Sequence, residues 1–379
     1  MGDRIRDFLN SSRFRYLATA LVVVLLVGCA VLVKRKIDSR TFSHYEVEKA
    51  EKKADSVSRF AYCDGYAVRY SSDGASLVNK DLESVWTSAY QMTDPRVDVS
   101  GGEVLIYDRG GTDLFLYNRK EKIASFSAEL PILLARISGK NTVAALLQEG
   151  EKTEFVYYTK EGGKIAAGES TMSDPGYPFA MAISEDGMHV AVSYLTATGG
   201  TTGSTIRFYS FDSKGKAAEN NMTGELVLTG TFAPDVQYLG SRCVVFRDDG
   251  FTIVRDPAKQ DNTIVRDFDR DIVSVFHDRS HIGVIFRSDE KTHLYQLFLY
   301  NPQGEQVCSA YIDHPYTRIH VCDGQILVSG ETSLSIFTLR GVCRFSGSIN
   351  EGTVADALKI GRNRCLVLTD QTMEVIRLR

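Results

Sequence analysis

His277 and His281 stand four residues apart in "HDRSH", a spacing that on a helix would turn two imidazoles toward one metal ion. The flanking segments "IVSVF" and "IGVIF" alternate as strands do, so the pair brackets a turn and metal binding is not expected. Just upstream, "DFDRD" supplies Asp267, Asp269 and Asp271, and Asp278 falls at the twelfth position of a calcium-loop spacing. A calcium hand needs glycine at position six for its sharp turn, and Ile272 stands there at the start of a strand. The segment reads as an acidic turn, with a looser cation site as the alternative. No phosphate-binding loop, HExxH or GxSxG pattern occurs. These residue types lead to no expected catalytic residue, cofactor-binding residue or metal ligand.

Cysteine is the next reactive type. Cys63, Cys243, Cys308, Cys322, Cys343 and Cys365 form no CxxC pair and no zinc spacing. Contexts such as "SRCVVF" and "NRCLVL" suit buried thiols acting as small hydrophobes, while Cys308–Cys322 and Cys322–Cys343 stay open as disulfides. The seventh, Cys29, sits in "LVGC", which has the form of a lipidation signal. The sequon Asn221-Met222-Thr223 matters only in a eukaryotic secretory host, and "TATGGTTGST" lacks the strand–helix context of a nucleotide fingerprint.

The residues on either side of Cys29 decide its reading. Residues 16–33, "YLATALVVVLLVGCAVLV", are uncharged and as a helix would span roughly 27 Å, close to the hydrocarbon core of a bilayer. A lipidated cysteine needs the apolar run to stop beside it; here Ala30-Val31-Leu32-Val33 continue the run and "KRK" closes it. The expectation is an uncleaved transmembrane anchor at 16–33 after a short cytoplasmic N-terminus at 1–15, with lipidation at Cys29 as the alternative. Four arginines precede the run, and Lys34, Arg35, Lys36 and Arg40 come after it, so the positive-inside count is a tie. A long C-terminal domain is translocated largely regardless of charge, which favours a single-pass cell-membrane protein with its C-terminal domain extracytoplasmic.

The chain has 43% hydrophobic and 24% charged residues and a net charge of −4. Both flanks of the apolar run are basic, so the remainder is acidic, which argues against a nucleic-acid partner. Residues 34–57 read as a juxtamembrane stalk, in which Val47, Ala50, Ala54 and Val57 recur at helical spacing, or partly as a strand. From residue 58 to 379 the texture is short alternating runs broken by Gly, Asp and Asn, with a period of roughly 35–45 residues. Four-stranded units at that period predict an all-β fold, a β-propeller. Unit starts near 58, 95, 132, 175, 234, 272, 316 and 353 give eight blades, with seven as the alternative. The last unit holds three strands, and its fourth is expected from the chain's start, around residues 41–47. Gly74, Gly187 and Gly250 each come after Asp where a two-residue hairpin asks for positive φ, and Trp86, on an outer-strand pattern, is expected to pack between blades. The unit at 175–233 contains two long loop-like stretches, and loops on a rigid scaffold are where binding often sits.

"YSSDG", "VWTSAYQMTDP", "YDRGG", "GYPFAMAISEDG" and "VAVSYL" resemble an uncharacterised Firmicutes family of single-pass membrane proteins, a domain of unknown function. The likeness covers nearly the whole chain after the anchor. It extends to WD40-like and quinoprotein-like propellers, although the WD dipeptide is absent. The resemblance implies a Gram-positive surface protein and carries no catalytic residue.

Two functions compete on these grounds. A membrane-tethered protein-interaction scaffold or sensor, with a protein partner at the cell envelope, is the leading expectation. The rival is a propeller enzyme or small-molecule binder using the central channel. Three or more carboxylates, histidines or arginines converging in that channel with shifted pKa would favour the rival.

Overall fold

Short strands whose side chains alternate between two buried faces dominate the computed structural model, which describes residues 16, 19–29, 40–52, 58–171, 174–198, 200–259, 262–350 and 352–379. They pair into eight antiparallel four-stranded sheets. Seven cover 59–89, 95–127, 132–170, 177–229, 235–267, 272–312 and 318–348; the eighth joins 354–378 to a strand from the chain's start. Eight blades is therefore the count, and the seven-blade alternative falls.

Burial explains the repeat. The second strand of each blade is sandwiched on both faces, so Arg242–Arg247, Gln325–Ser329 and Arg364–Thr369 are almost wholly buried. The outer strands, such as Ser84–Ala89, alternate toward solvent. The core is a set of layers between neighbouring sheets: Val68 and Leu77 of the first blade meet Ile106 and Tyr117 of the second. Ala67 and Val78 meet Leu358 and Leu366 of the eighth, which closes the ring. Trp86 stacks on Tyr117 at 4.5 Å between ring centroids and donates Nε1–H to Asn118 O at 2.9 Å, so it does pack between blades.

Strand β1, Tyr45–Lys52, completes the eighth blade against β32, Thr372–Leu378, in antiparallel register from Tyr45↔Leu378 to Lys52↔Thr372. The helical spacing of Val47 and Ala50 is overridden here. An outer strand needs only a ladder of backbone partners, and β32 offers one. Ala54 and Val57 lie outside the described residues, as do 1–15, 17–18 and 30–39. The described helix covers 19–29, and among the described residues no helix is long and apolar enough to cross a membrane.

Two turn expectations are corrected. Gly187 has φ +72°, but Gly74 and Gly250 are extended and are required for close packing: a Cβ would meet Ser88 O at 2.5 Å and Arg266 O at 2.0 Å. The two-residue hairpin turns with positive φ at both positions include Asp64–Gly65 (45° and 86°), Gly101–Gly102 (60° and 81°) and Asp323–Gly324 (47° and 73°). The "TATGGTTGST" stretch is mainly a long hairpin, His189–Thr198 with Thr201–Ser210, and not a loop.

Candidate functional site

The first strand of every blade lines the central channel, and the turn leaving it forms one rim of the ring. At that end lies a cavity of about 690 Å³ whose walls come from all eight blades, among them Asp64, Asp98, Arg136, Glu185, Tyr238, His277 and Lys359. The volume is that of a small-molecule site.

Asp98, Arg136 and His277 line it, and Asp235, on a neighbouring channel strand, is coupled electrostatically to Arg136 and His277. Asp98 is on β6, Pro95–Ser100, and Arg136 is on β10, Ile132–Ile137. Arg136 Nη1 lies 3.9 Å from Asp98 Oδ1, and its Nε–H donates to Met181 O at 3.2 Å, tying the second, third and fourth blades together. Asp98 also accepts the Ile137 N–H at 2.8 Å. Asp235 opens β18, Asp235–Leu239, and accepts Val236 N–H and Gln237 Nε2–H; His277 ends β22, Ile272–His277. Asp98 and Arg136 leave 22% and 26% of their side chains accessible, so a solute in the channel can reach them.

Crowding by protein shifts these groups. Burial pushes the Asp98 carboxyl up, and Arg136 with the Ile137 amide only partly offsets it. For Arg136, burial works against the charge, but attraction to Asp98 outweighs it and the guanidinium is held more firmly protonated. Burial likewise raises Asp235, against the pull of His277 and Arg136. His277 is held below the ordinary imidazole range by burial, against the pull of Asp235 and Asp278. His277 lines the cavity, and among the described residues its imidazole has no hydrogen-bond partner; neither has the hydroxyl of Tyr238, another wall residue.

Two ion pairs span the mouth. Lys359 Nζ is 3.1 Å from Asp323 Oδ2, and Arg279 Nη1 is 3.3 Å from Glu185 Oε1. Cys322 is in the wall, and its thiol, pushed up to about 12 by burial, is a weak nucleophile.

The residues singled out by sequence are dispersed. His277 enters the channel, whereas His281 turns back to bond Asp278 through Nδ1 at 3.0 Å, so the two imidazoles do not share a site. Asp267 pairs with Arg247, and Asp269 and Asp271 are exposed on the opposite face of the ring. Among the described residues no three His, Cys, Asp or Glu side chains are arranged to hold a metal ion. The six propeller cysteines are free thiols, five buried and Cys343 exposed, so neither sequence-adjacent disulfide forms; Cys29 is exposed on the 19–29 helix. Asp98, Arg136 and Asp235 were missed by motif reading. Their signal is a charged residue on an otherwise apolar inner strand, in "RVDVS", "LLARIS" and "PDVQYL".

Comparison with known proteins bears on fold more than on chemistry. The model of a Family of unknown function (DUF5711) matches residues 38–378. No curated protein matches the chain. Among solved structures, BamB from Moraxella catarrhalis is similar at TM-score 0.54 and 12% identity, covering 88% of this chain and 100% of its own. Saccharomyces cerevisiae Sqt1 gives TM-score 0.54 at 11% identity, covering 89% and 98%. Apo AztD from Citrobacter koseri gives 0.51 at 11%, covering 78% and 87%. At such identities the likeness establishes the propeller fold alone.

Proposed function

Because the chain belongs to the Family of unknown function (DUF5711), which brings no activity with it, we propose its role from the channel. The reading is a membrane-tethered, extracytoplasmic propeller that binds a small polar solute in its channel and acts as a sensor at the cell envelope. The observation that carries it is the convergence of Asp98, Arg136 and His277, from three blades, on one accessible cavity, with Asp235 of a fourth blade coupled to Arg136 and His277. Charges withdrawn from bulk water cost stability, and perturbed groups of this kind gather at functional sites. Binding is favoured over catalysis, because the wall thiol is weakly nucleophilic and among the described residues His277 hydrogen-bonds no hydroxyl or thiol that it could activate.

A protein-interaction scaffold is the second reading. Outer strands carry exposed apolar side chains, Val85, Ile165, Val227, Val265 and Val307, along free sheet edges able to accept an added strand.

The tether supports both. Residues 16–33 as a spanning segment, with Cys29 facing lipid, would hold the propeller at the surface; a lipidated Cys29 would do so by another route. A Gram-positive surface location is part of the same proposal.

The test is to isolate residues 40–379 from the native envelope and release bound solutes by denaturation into a mass spectrometer. A solute present with the wild type and absent with Arg136→Met supports the channel reading. No solute, together with a protein partner lost on substituting Val227 and Val265 by Lys, would replace it with the scaffold. Protease added to intact cells should degrade the propeller, and full protection would sink the extracytoplasmic placement. Mass spectrometry of the mature N-terminus separates an anchor from a diacylated Cys29.

A further inference from the structure

We infer that the propeller is held with its channel mouth toward the bilayer and its opposite face away from it. The inference rests on the membrane-tethered reading of the function.

The direction of β1 decides the orientation. Tyr45 pairs with Leu378, Arg377 pairs with Arg364, and Arg364 pairs with Gly361, which lines the mouth of the cavity. The chain therefore enters the ring at the rim that carries the mouth and runs away from it to Lys52. The entry is also fastened at that rim: Phe42 N–H donates to Arg344 O, Arg344 Nε–H donates to Arg40 O at 3.1 Å, and the Arg344 guanidinium lies 5.0 Å from the Phe42 ring. Only residues 34–39 separate the apolar segment from Arg40, and fully extended they bridge at most about 25 Å. The closing strand beside it, Tyr45–Lys52, is eight residues and about 26 Å long, so a tether fixed at the mouth rim is spent before it clears the far rim and cannot present the far face to the membrane.

Charge agrees with this arrangement. On the mouth face, the described turns and the two chain ends carry fourteen Lys/Arg and thirteen Asp/Glu, so that face is close to neutral. On the far face, the described turns carry fourteen Asp/Glu, including Asp248, Asp249, Asp289, Glu290 and Glu331, against Arg109, Arg270 and Lys291. An anionic lipid surface repels the second face and tolerates the first, within a screening length of about 10 Å. The consequence for the channel is that its solute is drawn from the layer next to the lipid headgroups.

Energy transfer tests this with the full chain in phosphatidylcholine–phosphatidylglycerol vesicles carrying a headgroup acceptor. Donors go on single cysteines at Lys140→Cys and Arg340→Cys on the mouth face, and at Asp289→Cys and Glu331→Cys on the far face. The background is Cys29→Ser with Cys343→Ser, so that the exposed native thiols are removed. The expected result is transfer roughly two-fold or more higher from the mouth face, given about 20 Å of strand between the faces. Equal or reversed transfer in a chain that floats with the vesicles overturns the orientation and leaves the tether standing. A chain that does not float with the vesicles overturns both.

Discussion

Arg279 of the sixth blade reaches Glu185 of the fourth over the channel mouth, Nη1 to Oε1 at 3.3 Å, skipping the fifth blade between them. Both sit on turns that leave a channel-lining strand, so the ion pair ties two non-adjacent sheets across the cavity opening. Glycine makes the approach possible. A Cβ on Gly139 would meet Glu185 Cγ at 3.0 Å, and one on Gly101 would meet Gly139 Cα at 3.0 Å. The pair is half exposed, at 57% and 53%, so it serves as a clasp over the mouth more than as a source of stability.

Breaking the clasp should therefore leave the fold alone. Glu185→Ala is expected to change unfolding free energy by less than about 1 kcal/mol in denaturant titration. It should speed release of whatever solute the channel holds, read by stopped-flow dilution. A large stability loss would mean that the pair is structural.

The ring should depend on its closing strand. A chain starting at residue 40 is expected to unfold cooperatively, whereas one starting at residue 53 leaves the β32 edge unpaired and should aggregate or melt at a clearly lower temperature by circular dichroism. Glu48 joins the blade by bonding Arg364 Nε at 2.6 Å and Arg377 Nε. Burial alone would raise its carboxyl, but the two arginines outweigh that and hold it below its ordinary value of 4.5. Its contribution is present above that unfolded value and lost as pH falls through the folded one. Glu48→Gln should weaken the acid-side loss of stability, and an unchanged acid limb would refute the role.

His277 should titrate below the ordinary imidazole value of 6.5, read from its ring resonances by NMR. The folded state then prefers neutral imidazole, so stability falls as pH drops from 6.5 through the folded value. His277→Gln should flatten that slope. Asp235→Asn removes a group that favours the charged ring, so the His277 midpoint should fall further; an unchanged midpoint would show that the two groups do not interact.

Trp86 should anchor the contact of the first and second blades. Trp86→Ala removes both the stack on Tyr117 and the bond to Asn118 O, and is expected to cost about 2–4 kcal/mol. Trp86→Phe keeps a ring in the stack and should cost roughly 1 kcal/mol. Equal losses for the two variants would contradict this division.

Much of the fold was legible because blade sequence is local. A strand sandwiched on both faces must be apolar along its length, and a turn of two residues must carry Asp, Asn or Gly. That is why the observed starts at Arg59, Pro95, Ile132, Tyr177, Asp235, Ile272, Arg318 and Val354 match the expected spacing within two residues. The missing strand of the last unit was legible for the same reason, since an unpaired edge asks for a partner. Its position, Tyr45–Lys52 instead of 41–47, was not, because an exposed outer strand has no apolar pattern to mark its ends.

The candidate site was not legible, and the reason is distance along the chain. Asp98, Arg136, Asp235 and His277 each look like an isolated polar residue on its own strand, and no spacing rule links them. His277 was noticed for its nearness to His281, a neighbour it turns away from. By itself the sequence determined the class of fold, the spacing of its repeating units and an apolar segment ahead of them, all properties of local periodicity. Only closure of the ring settled the count at eight, brought four separated strands around one axis with Asp98, Arg136 and His277 lining one cavity, and placed the chain's entry on the same rim as its mouth. Those relations depend on how sheets pack against each other, and no single blade contains them.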